Sequence, residues 1–301
     1  MRSGILRQDS DVVSGPGDPI RPCPACGHEK TSSVGQLNGW VLARCSLCDL
    51  VYTRDLPTSE KIGQVYNEAY ERDGLYDAHL KQLDMMIKTG RSRQGFYRNR
   101  LFLKRFKPQP GEKLLEIGCG IGAFLVAAHQ RGWQVEGVDI SARALEVSCN
   151  IHGLTVYHGT LEEINVPVGT YKAIVCWEVL EHLPSPRQFL QHAKKLLRND
   201  GLFVCSIPNC SDKVPLFVDK LGPASVPPVH LNFWTLASFK RFSELNGFRV
   251  VHLFTKRNLM AMAGAKKRPL QLAWKQLAAI IGLLEGPNIY AVLTPSDPGS
   301  Q

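Results

Sequence analysis

Four cysteines near the start of the chain have the composition and spacing of a zinc site. Cys23 and Cys26 form one Cys-x-x-Cys pair, Cys45 and Cys48 form another, and residues 27–44 separate the two pairs. Four thiolates at this spacing can close a tetrahedral zinc site with no open position, so the metal would support folding rather than react with a substrate. The sequence therefore predicts a structural Zn²⁺ bound by these four residues.

A glycine-rich turn in the middle of the chain has the pattern of a cofactor loop. An apolar run that includes Glu116 is followed by Gly118, Gly120 and Gly122, and then by the apolar residues 123–128. This order predicts a buried strand that turns tightly into a helix. Because glycine lacks a Cβ atom, a ligand can lie against the main chain of such a turn. The glycines alone leave an ordinary strand-to-helix turn as the alternative.

An acid at the end of the next strand favours the cofactor interpretation. The strand-like run 134–138 leads into Asp139, about 20 residues past the glycines, where a doubly wound fold places a carboxylate on the hydroxyls of a ribose. Asp139 could instead begin the following helix, and Ser141 beside it could cap that helix equally well. The sequence favours the ribose role.

Two histidines are candidate catalytic residues, since the ordinary pKa of histidine, near 6.5, suits proton removal at neutral pH. His182 lies shortly after the strand-like run 173–176, and His230 follows the proline-rich segment 210–229. That segment is too irregular for the core, and we predict a loop over the active site there. A structural hydrogen bond is the alternative role for each histidine, and His230 ranks slightly ahead as the catalytic one.

Three stretches in order resemble the first, second and fourth motifs of class I S-adenosylmethionine-dependent methyltransferases. They are Glu116–Gly122, Gly137–Ser141 and Tyr171–Pro184. The resemblance covers residues 111–250 and implies S-adenosylmethionine as the co-substrate. It also implies an α/β fold with a Rossmann-like seven-stranded methyltransferase sheet, to which the four cysteines add a small N-terminal zinc-binding module.

The same resemblance implies which residues hold the cofactor. Glu116 and the glycine turn would bind the methionine portion, and Asp139 would bind the ribose. Thr160 stands where the family commonly has an acid that meets the adenine, so this contact would pass to Glu162 or to the backbone near Leu161. The implied cofactor-binding set is Glu116, Gly118, Cys119, Gly120, Asp139, Ile140, Leu161, Glu162 and Trp177.

The order of modules over residues 21–250 resembles that of sugar C-methyltransferases with a zinc ribbon, and the chain also resembles ubiquinone-type O-methyltransferases. His230 stands where the sugar enzymes have a proposed catalytic histidine, but the acid that precedes it there is Val229 here. Those enzymes also carry a further C-terminal domain that 301 residues are too few to hold. The identity of the reaction therefore does not follow from this resemblance.

The pattern along the chain predicts five segments. They are a disordered tail at 1–20, a zinc-ribbon-like module at 21–55, a helical linker or cap at 56–110, the methyltransferase domain at 111–294 and a tail at 295–301. Residues 88–107 carry eight basic residues and no acid, typical of a solvated helix face, with a phosphate-binding patch as the alternative. Residues 269–284 predict an amphipathic helix that packs on its own domain or on a partner subunit, with a peripheral membrane contact as the alternative.

Composition bounds the class of protein. A chain of 301 residues with 44% hydrophobic content can bury a full core. No apolar run approaches the ~18 residues of a membrane span and no signal-peptide pattern begins the chain, so a cytoplasmic protein is expected. Nine cysteines fit that compartment if four bind metal and the others are reduced. The net charge of +9 permits nucleic acid, acidic lipid or phosphorylated partners without choosing among them, and the oligomeric state stays open.

The leading prediction is a methyltransferase that acts on a small molecule, such as a sugar, glycan or secondary metabolite, at oxygen or carbon. An rRNA or tRNA methyltransferase is the alternative that the positive charge and the zinc module support. Two observations oppose this alternative. Residues 176–179 do not form an Asn-Pro-Pro-Tyr-type motif, and the zinc module lacks the basic and aromatic residues of an RNA-binding signature. A non-catalytic scaffold of the same fold is a second alternative, which the intact Gly118, Gly120 and Asp139 oppose.

Overall fold

A computed structural model describes residues 21–58, 102–210, 226–256 and 288–296. Its strands are β1 (Thr31–Leu37), β2 (Trp40–Cys45), β3 (Val51–Thr53), β4 (Lys113–Ile117), β5 (Gln134–Asp139), β6 (Thr155–His158), β7 (Tyr171–Trp177), β8 (Leu197–Pro208), β9 (Asn232–Phe233), β10 (Phe248–Lys256) and β11 (Asn288–Pro295). Its helices are α1 (Ala123–His129), α2 (Ala142–His152), α3 (Pro186–Leu196) and α4 (Leu236–Leu245).

Seven strands form one sheet in the order β10-β11-β8-β7-β4-β5-β6. The pairs from β8 to β6 are parallel, whereas β11 runs antiparallel to both of its neighbours. The central strands β4 and β7 are apolar and buried almost throughout, as expected of parallel strands that helices cover on both faces. The predicted α/β fold with a seven-stranded sheet is confirmed. Because β4, β5 and β7 are parallel, their carboxyl ends meet at one edge, where ligands bind in such sheets.

The helices form where local sequence allows them to bury one face against this sheet. In α3, Pro186 occupies the first turn, and the buried residues Phe189, Leu190, Ala193 and Leu196 recur at helical spacing. In α4, the Thr235 and Ser238 side chains each accept a hydrogen bond from the other's backbone N–H, which satisfies two N–H groups at the helix start. Of the buried clusters among the described residues, the largest joins the sheet to the cysteine-rich region, and the next contains Phe102, Phe124, Trp133 and Trp177.

A second, four-stranded antiparallel sheet has the order β1-β2-β3-β9. Strands β1 to β3 come from the cysteine-rich region, whereas β9 begins two residues after His230. This sheet therefore joins the cysteine-rich region to a segment that lies between β8 and α4 in the sequence.

Several predictions from the sequence concern residues outside the described ranges. They are the tail at 1–20, residues 59–101 of the linker at 56–110, residues 88–101 of the basic run at 88–107, residues 211–225 of the loop at 210–229, the helix at 269–284 and residues 297–301. Among the described elements, no helix combines the length and the apolar character needed to cross a membrane.

Candidate active site

The predicted glycine turn lies between the carboxyl end of β4 and the start of α1. Gly118, Gly120 and Gly122 have φ angles of +68°, +52° and +80°, in the left-handed region that favours glycine. A Cβ atom added at Gly120 would meet no atom within 4 Å, so the main chain there faces open space. At Gly118 the added atom would lie 2.8 Å from Val179 Cγ2, which places the turn directly against the residues after β7. The bare backbone at Gly120 fits a cofactor that lies along it.

Asp139 ends β5 and connects that strand to the glycine turn. Its Oδ2 atom accepts a hydrogen bond from the Gly120 N–H at 2.7 Å, and its Oδ1 atom accepts one from the Ser141 N–H at 2.8 Å. Burial raises the pKa of Asp139, and the hydrogen bonds from Ser141 and Gly120 oppose that rise. Each carboxylate oxygen can accept more than one hydrogen bond, so both oxygens keep acceptor capacity beyond these two contacts.

The other candidate cofactor residues differ in how much of the side chain reaches the surface. Four of them are buried: Glu116, Cys119, Leu161 and Trp177. Ile140 directly follows Asp139 and is 56% exposed, and Glu162 is exposed as well. Trp177 packs edge-on against Phe124 of α1, with 5.2 Å between the ring centroids. The structure therefore places Ile140 beside Asp139 at the strand end, whereas Trp177 supports α1 from the core.

The two candidate histidines, distant in sequence, are brought together as a pair. Their rings meet edge to face with 4.7 Å between centroids. His182 Nδ1 lies 2.9 Å from the backbone oxygen of Val229; since a carbonyl only accepts, Nδ1 carries the proton and Nε2 keeps its lone pair. Burial lowers the pKa of both rings, and burial together with the neighbouring His182 lowers the pKa of His230 to about 3. Both rings are therefore neutral at pH 7.

Glu181 completes this group, although reasoning from the sequence missed it. His182 Nε2 lies 3.8 Å from Glu181 Oε1, and the carboxylate is 1% exposed. One donor atom from each of Glu181, His182 and His230 lies within 4.8 Å of the other two, so this group could pass a proton or hold a cation. The adjacent Glu181-His182 pair after an apolar strand was the available signal.

Glu178 holds the turn after β7 in place and was also missed. It has a left-handed φ of +57°, unusual for a residue with a side chain. Its carboxylate accepts hydrogen bonds from Ser206 Oγ at 2.6 Å and from Asn288 Nδ2 at 3.1 Å and 3.2 Å. Its backbone N–H donates to the Ser206 carbonyl at 2.8 Å. These contacts to β8 and β11 fix the turn that carries His182.

The four predicted metal ligands lie together in one cluster. Cys23 Sγ and Cys48 Sγ are 3.5 Å apart, Cys26 Sγ and Cys45 Sγ are 3.6 Å apart, and all four sulfurs lie within 4.8 Å of one another. Four thiolates around one zinc ion, with Zn–S distances of about 2.3 Å, would be about 3.8 Å apart. The four thiols form no disulfide. The cluster is therefore compatible with a structural zinc ion, as the spacing predicted.

The fold and the glycine turn define a class of enzyme, the class I S-adenosylmethionine-dependent methyltransferases. The sequence pattern of the methyltransferase domain family matches residues 91–253, more than half of the chain, and the chain belongs to that family. The predictions of the enzyme class and of its co-substrate are confirmed.

Curated relatives of the chain are O-methyltransferases by name. The ubiquinone biosynthesis O-methyltransferase of Haemophilus ducreyi is 31% identical over 118 residues, which cover 36% of this chain and 50% of the relative. The mitochondrial enzyme of the same name from Schizosaccharomyces pombe is 29% identical, over 56% of this chain and 59% of the relative. The chain thus spans about half to three-fifths of the length of these relatives.

Solved structures support the fold. An S-adenosylmethionine-dependent methyltransferase from Archaeoglobus fulgidus matches with a TM-score of 0.50 and 21% identity, over 70% of this chain and 98% of that one. A methyltransferase-activator complex from Haloferax volcanii, which contains the Trm112 activator, matches with a TM-score of 0.55 and 13% identity, over 75% of this chain and 98% of that one. At these identities the likeness concerns the fold alone.

Proposed function

We propose that this methyltransferase acts on a hydroxyl oxygen of a small molecule, in the class of sugars, glycans or other secondary metabolites. The observation that carries the proposal is the contact between the cofactor side and the acceptor side of the site. Gly118 in the glycine turn lies against Val179, three residues before His182. A cofactor on the glycine turn and a proton acceptor on the neighbouring turn would therefore face the same space. The O-methyltransferase names of the relatives favour oxygen over carbon as the acceptor atom.

On the cofactor side, we assign the methionine portion to Glu116, Cys119 and the main chain of Gly118 and Gly120. Asp139 would accept hydrogen bonds from the ribose hydroxyls, with Ile140 against the same part of the cofactor. Leu161 and Glu162 keep their assignment to the adenine. Trp177 stays a cofactor-binding candidate, with its ring packed on Phe124 of α1. When bound, S-adenosylmethionine supplies an electrophilic methyl group, and the residues named here supply its position and exclude water.

On the acceptor side, His182 is the better candidate for the base, which reverses the ranking made from the sequence. A pKa of about 3 makes His230 a weak base at neutral pH. In His182 the bond from Nδ1 to Val229 leaves Nε2 as the basic nitrogen. The acceptor hydroxyl would give its proton to Nε2 while its oxygen forms a bond to the methyl carbon. The carbon–sulfur bond breaks in the same step, and its electron pair stays on sulfur.

The remaining sequence predictions enter as parts of this proposal. The cysteine cluster would hold zinc as a structural ion. The division into a zinc-ribbon-like module, a linker and a methyltransferase domain, and a cytoplasmic location, stay predictions. No contact in the described residues favours RNA, a membrane surface or a particular oligomer.

Two measurements test the proposal. Isothermal titration should show S-adenosylmethionine binding, and a panel of nucleotide-linked sugars, phenols and quinols should include an acceptor that releases S-adenosylhomocysteine. His182→Gln should keep cofactor affinity and lose turnover, whereas His192→Gln on α3 should keep both. Lack of cofactor binding would overturn the proposal. If the protein methylated RNA but none of the small molecules in the panel, the proposed class of acceptor would be wrong.

A further inference from the structure

The cysteine cluster is connected to the histidine pair through one short strand. Strand β3 begins three residues after Cys48 and pairs with β9, with Tyr52 opposite Asn232. The Thr53 N–H extends this pairing by donating to the Leu231 carbonyl at 2.9 Å. Since β9 has only two residues, its own backbone bonds are too few to hold it, and its position depends on its neighbours.

On its other side, the β9 region is bonded to the turn that carries His182. The backbone N–H groups of Leu231 and Asn232 both donate to the Glu181 carbonyl, at 2.8 Å and 3.1 Å. The Asn232 side chain, 1% exposed, donates from Nδ2 to the carbonyls of Leu180 at 3.1 Å and Leu183 at 2.8 Å. One amide group thus spans the turn on both sides of His182.

We propose that the metal-bound cysteine cluster positions the histidine pair through β3 and β9, with Asn232 as the positioning residue that couples the two. The catalytic meaning of this coupling rests on the proposed function, whereas the coupling itself concerns only this chain's contacts. Without bound metal, the segment from Cys45 to Thr53 loses its anchor, β3 loosens from β9, and the bonds around Glu181 open. The cysteine cluster then acts on the histidine pair at a distance, through the backbone.

Asn246 provides a matched control for Asn232. It is also a buried asparagine whose Nδ2 donates to two carbonyls, those of Ala25 at 2.9 Å and Phe242 at 2.7 Å. One of these carbonyls belongs to the cysteine-rich region, so Asn246→Ala also removes a contact between that region and the end of α4. It leaves the bonds from β9 to Glu181 intact. If the substitutions act by loosening the packing in general, both variants should disturb the His182 ring. If Asn232 positions that ring, Asn232→Ala alone should disturb it.

The test observes the ring of His182 and the backbone of β9 directly. In nitrogen-15 NMR spectra of the histidine rings, assigned by His182→Gln, the protected Nδ1–H signal of His182 should be present in the wild type and in Asn246→Ala. It should be lost in Asn232→Ala. Retention of the signal in Asn232→Ala, or its loss in both variants, would overturn the role of Asn232.

Metal removal tests the role of the cluster. After chelation of the zinc, hydrogen exchange at the Leu231 and Asn232 amides should become about ten-fold faster or more, because each opened hydrogen bond lowers local protection. Exchange at Gly120 and Ser141, and affinity for S-adenosylmethionine by titration, should stay the same. Unchanged exchange at β9 would overturn the coupling, and so would faster exchange throughout the seven-stranded sheet. A purified chain that lacks metal but still shows the protected Nδ1–H signal of His182 would overturn it as well. None of these readouts requires an acceptor, so the proposed function can fail separately if the cofactor does not bind.

Discussion

The buried neutral state of His230 should make the stability of the fold depend on pH. His230 is 7% exposed and its ring meets that of His182, with Glu181 as the third titratable group facing it. Burial, followed by the influence of His182, lowers its pKa from 6.5 to about 3. In the unfolded chain the ring is exposed and returns to its ordinary pKa. At a pH between these two pKa values, the ring of His230 binds a proton in the unfolded chain but not in the folded chain.

The sign and size of the effect follow from proton linkage. Where the unfolded state binds more protons, the free energy of unfolding rises with pH, so here stability falls as the pH drops below 6.5. One excluded proton contributes at most ~1.4 kcal/mol per pH unit, and at most about 5 kcal/mol over the whole window. Burial also lowers the pKa of His182, so His182 adds a smaller contribution of the same sign.

Urea unfolding of the wild type and His230→Gln, measured from pH 7.5 down to pH 5, would test this. Glutamine cannot take the proton, so the slope of unfolding free energy against pH should be smaller in the variant by up to ~1 kcal/mol per unit. His129→Gln is the control, because His129 is exposed at the end of α1. The cysteine cluster is common to all three proteins, so its acid sensitivity cancels in the difference. Equal slopes for the wild type and His230→Gln would refute the buried neutral state.

Three further predictions concern the cofactor and the metal. Asp139→Ala should weaken S-adenosylmethionine binding by ~1.5 to 3 kcal/mol, the scale of a charge-assisted hydrogen bond, and unchanged affinity by titration would remove the ribose assignment. Gly120→Ala should also weaken binding, because the new methyl group occupies the open space along the main chain; the left-handed φ should cost about 1 to 2 kcal/mol of stability in chemical unfolding. Cys45→Ser should release the metal and lower the melting temperature, whereas Cys149→Ser, outside the cluster, should retain one zinc per chain. Full zinc content and stability in Cys45→Ser would count against the cysteine site.

The cofactor side of the site could be predicted from the sequence because its signals are local. The glycine turn needs particular φ angles, and glycine is the residue type that adopts them readily, so the composition itself marks the turn. Asp139 stands at the end of a short strand, and parallel strands that follow one another bring their carboxyl ends to one edge. The four cysteines form a similar case, since zinc geometry limits the spacing of its ligands.

The acceptor side could not be predicted in the same way because its contacts are long-range. Strand β9 has two residues and no periodicity, and it forms only because β3, far away in the sequence, pairs with it. Glu178 takes a left-handed backbone that its residue type disfavours, and the hydrogen bonds from Ser206 and Asn288 stabilise it there. The proximity of His182 to His230 depends on strand β9 and on the turn at Glu178. No local pattern encodes it.

The contact between His182 and Glu181 suggests why the pair could serve as a proton acceptor despite the lowered pKa of His182. With the proton fixed on Nδ1 by Val229, Nε2 faces Glu181 Oε1 at 3.8 Å. A proton delivered to Nε2 converts this contact into a charge pair, while the bond to Val229 is retained. Burial keeps the ring neutral at rest, so it is ready to accept a proton at neutral pH. The protonated state would gain its stabilisation from Glu181 only while the acceptor oxygen is reacting.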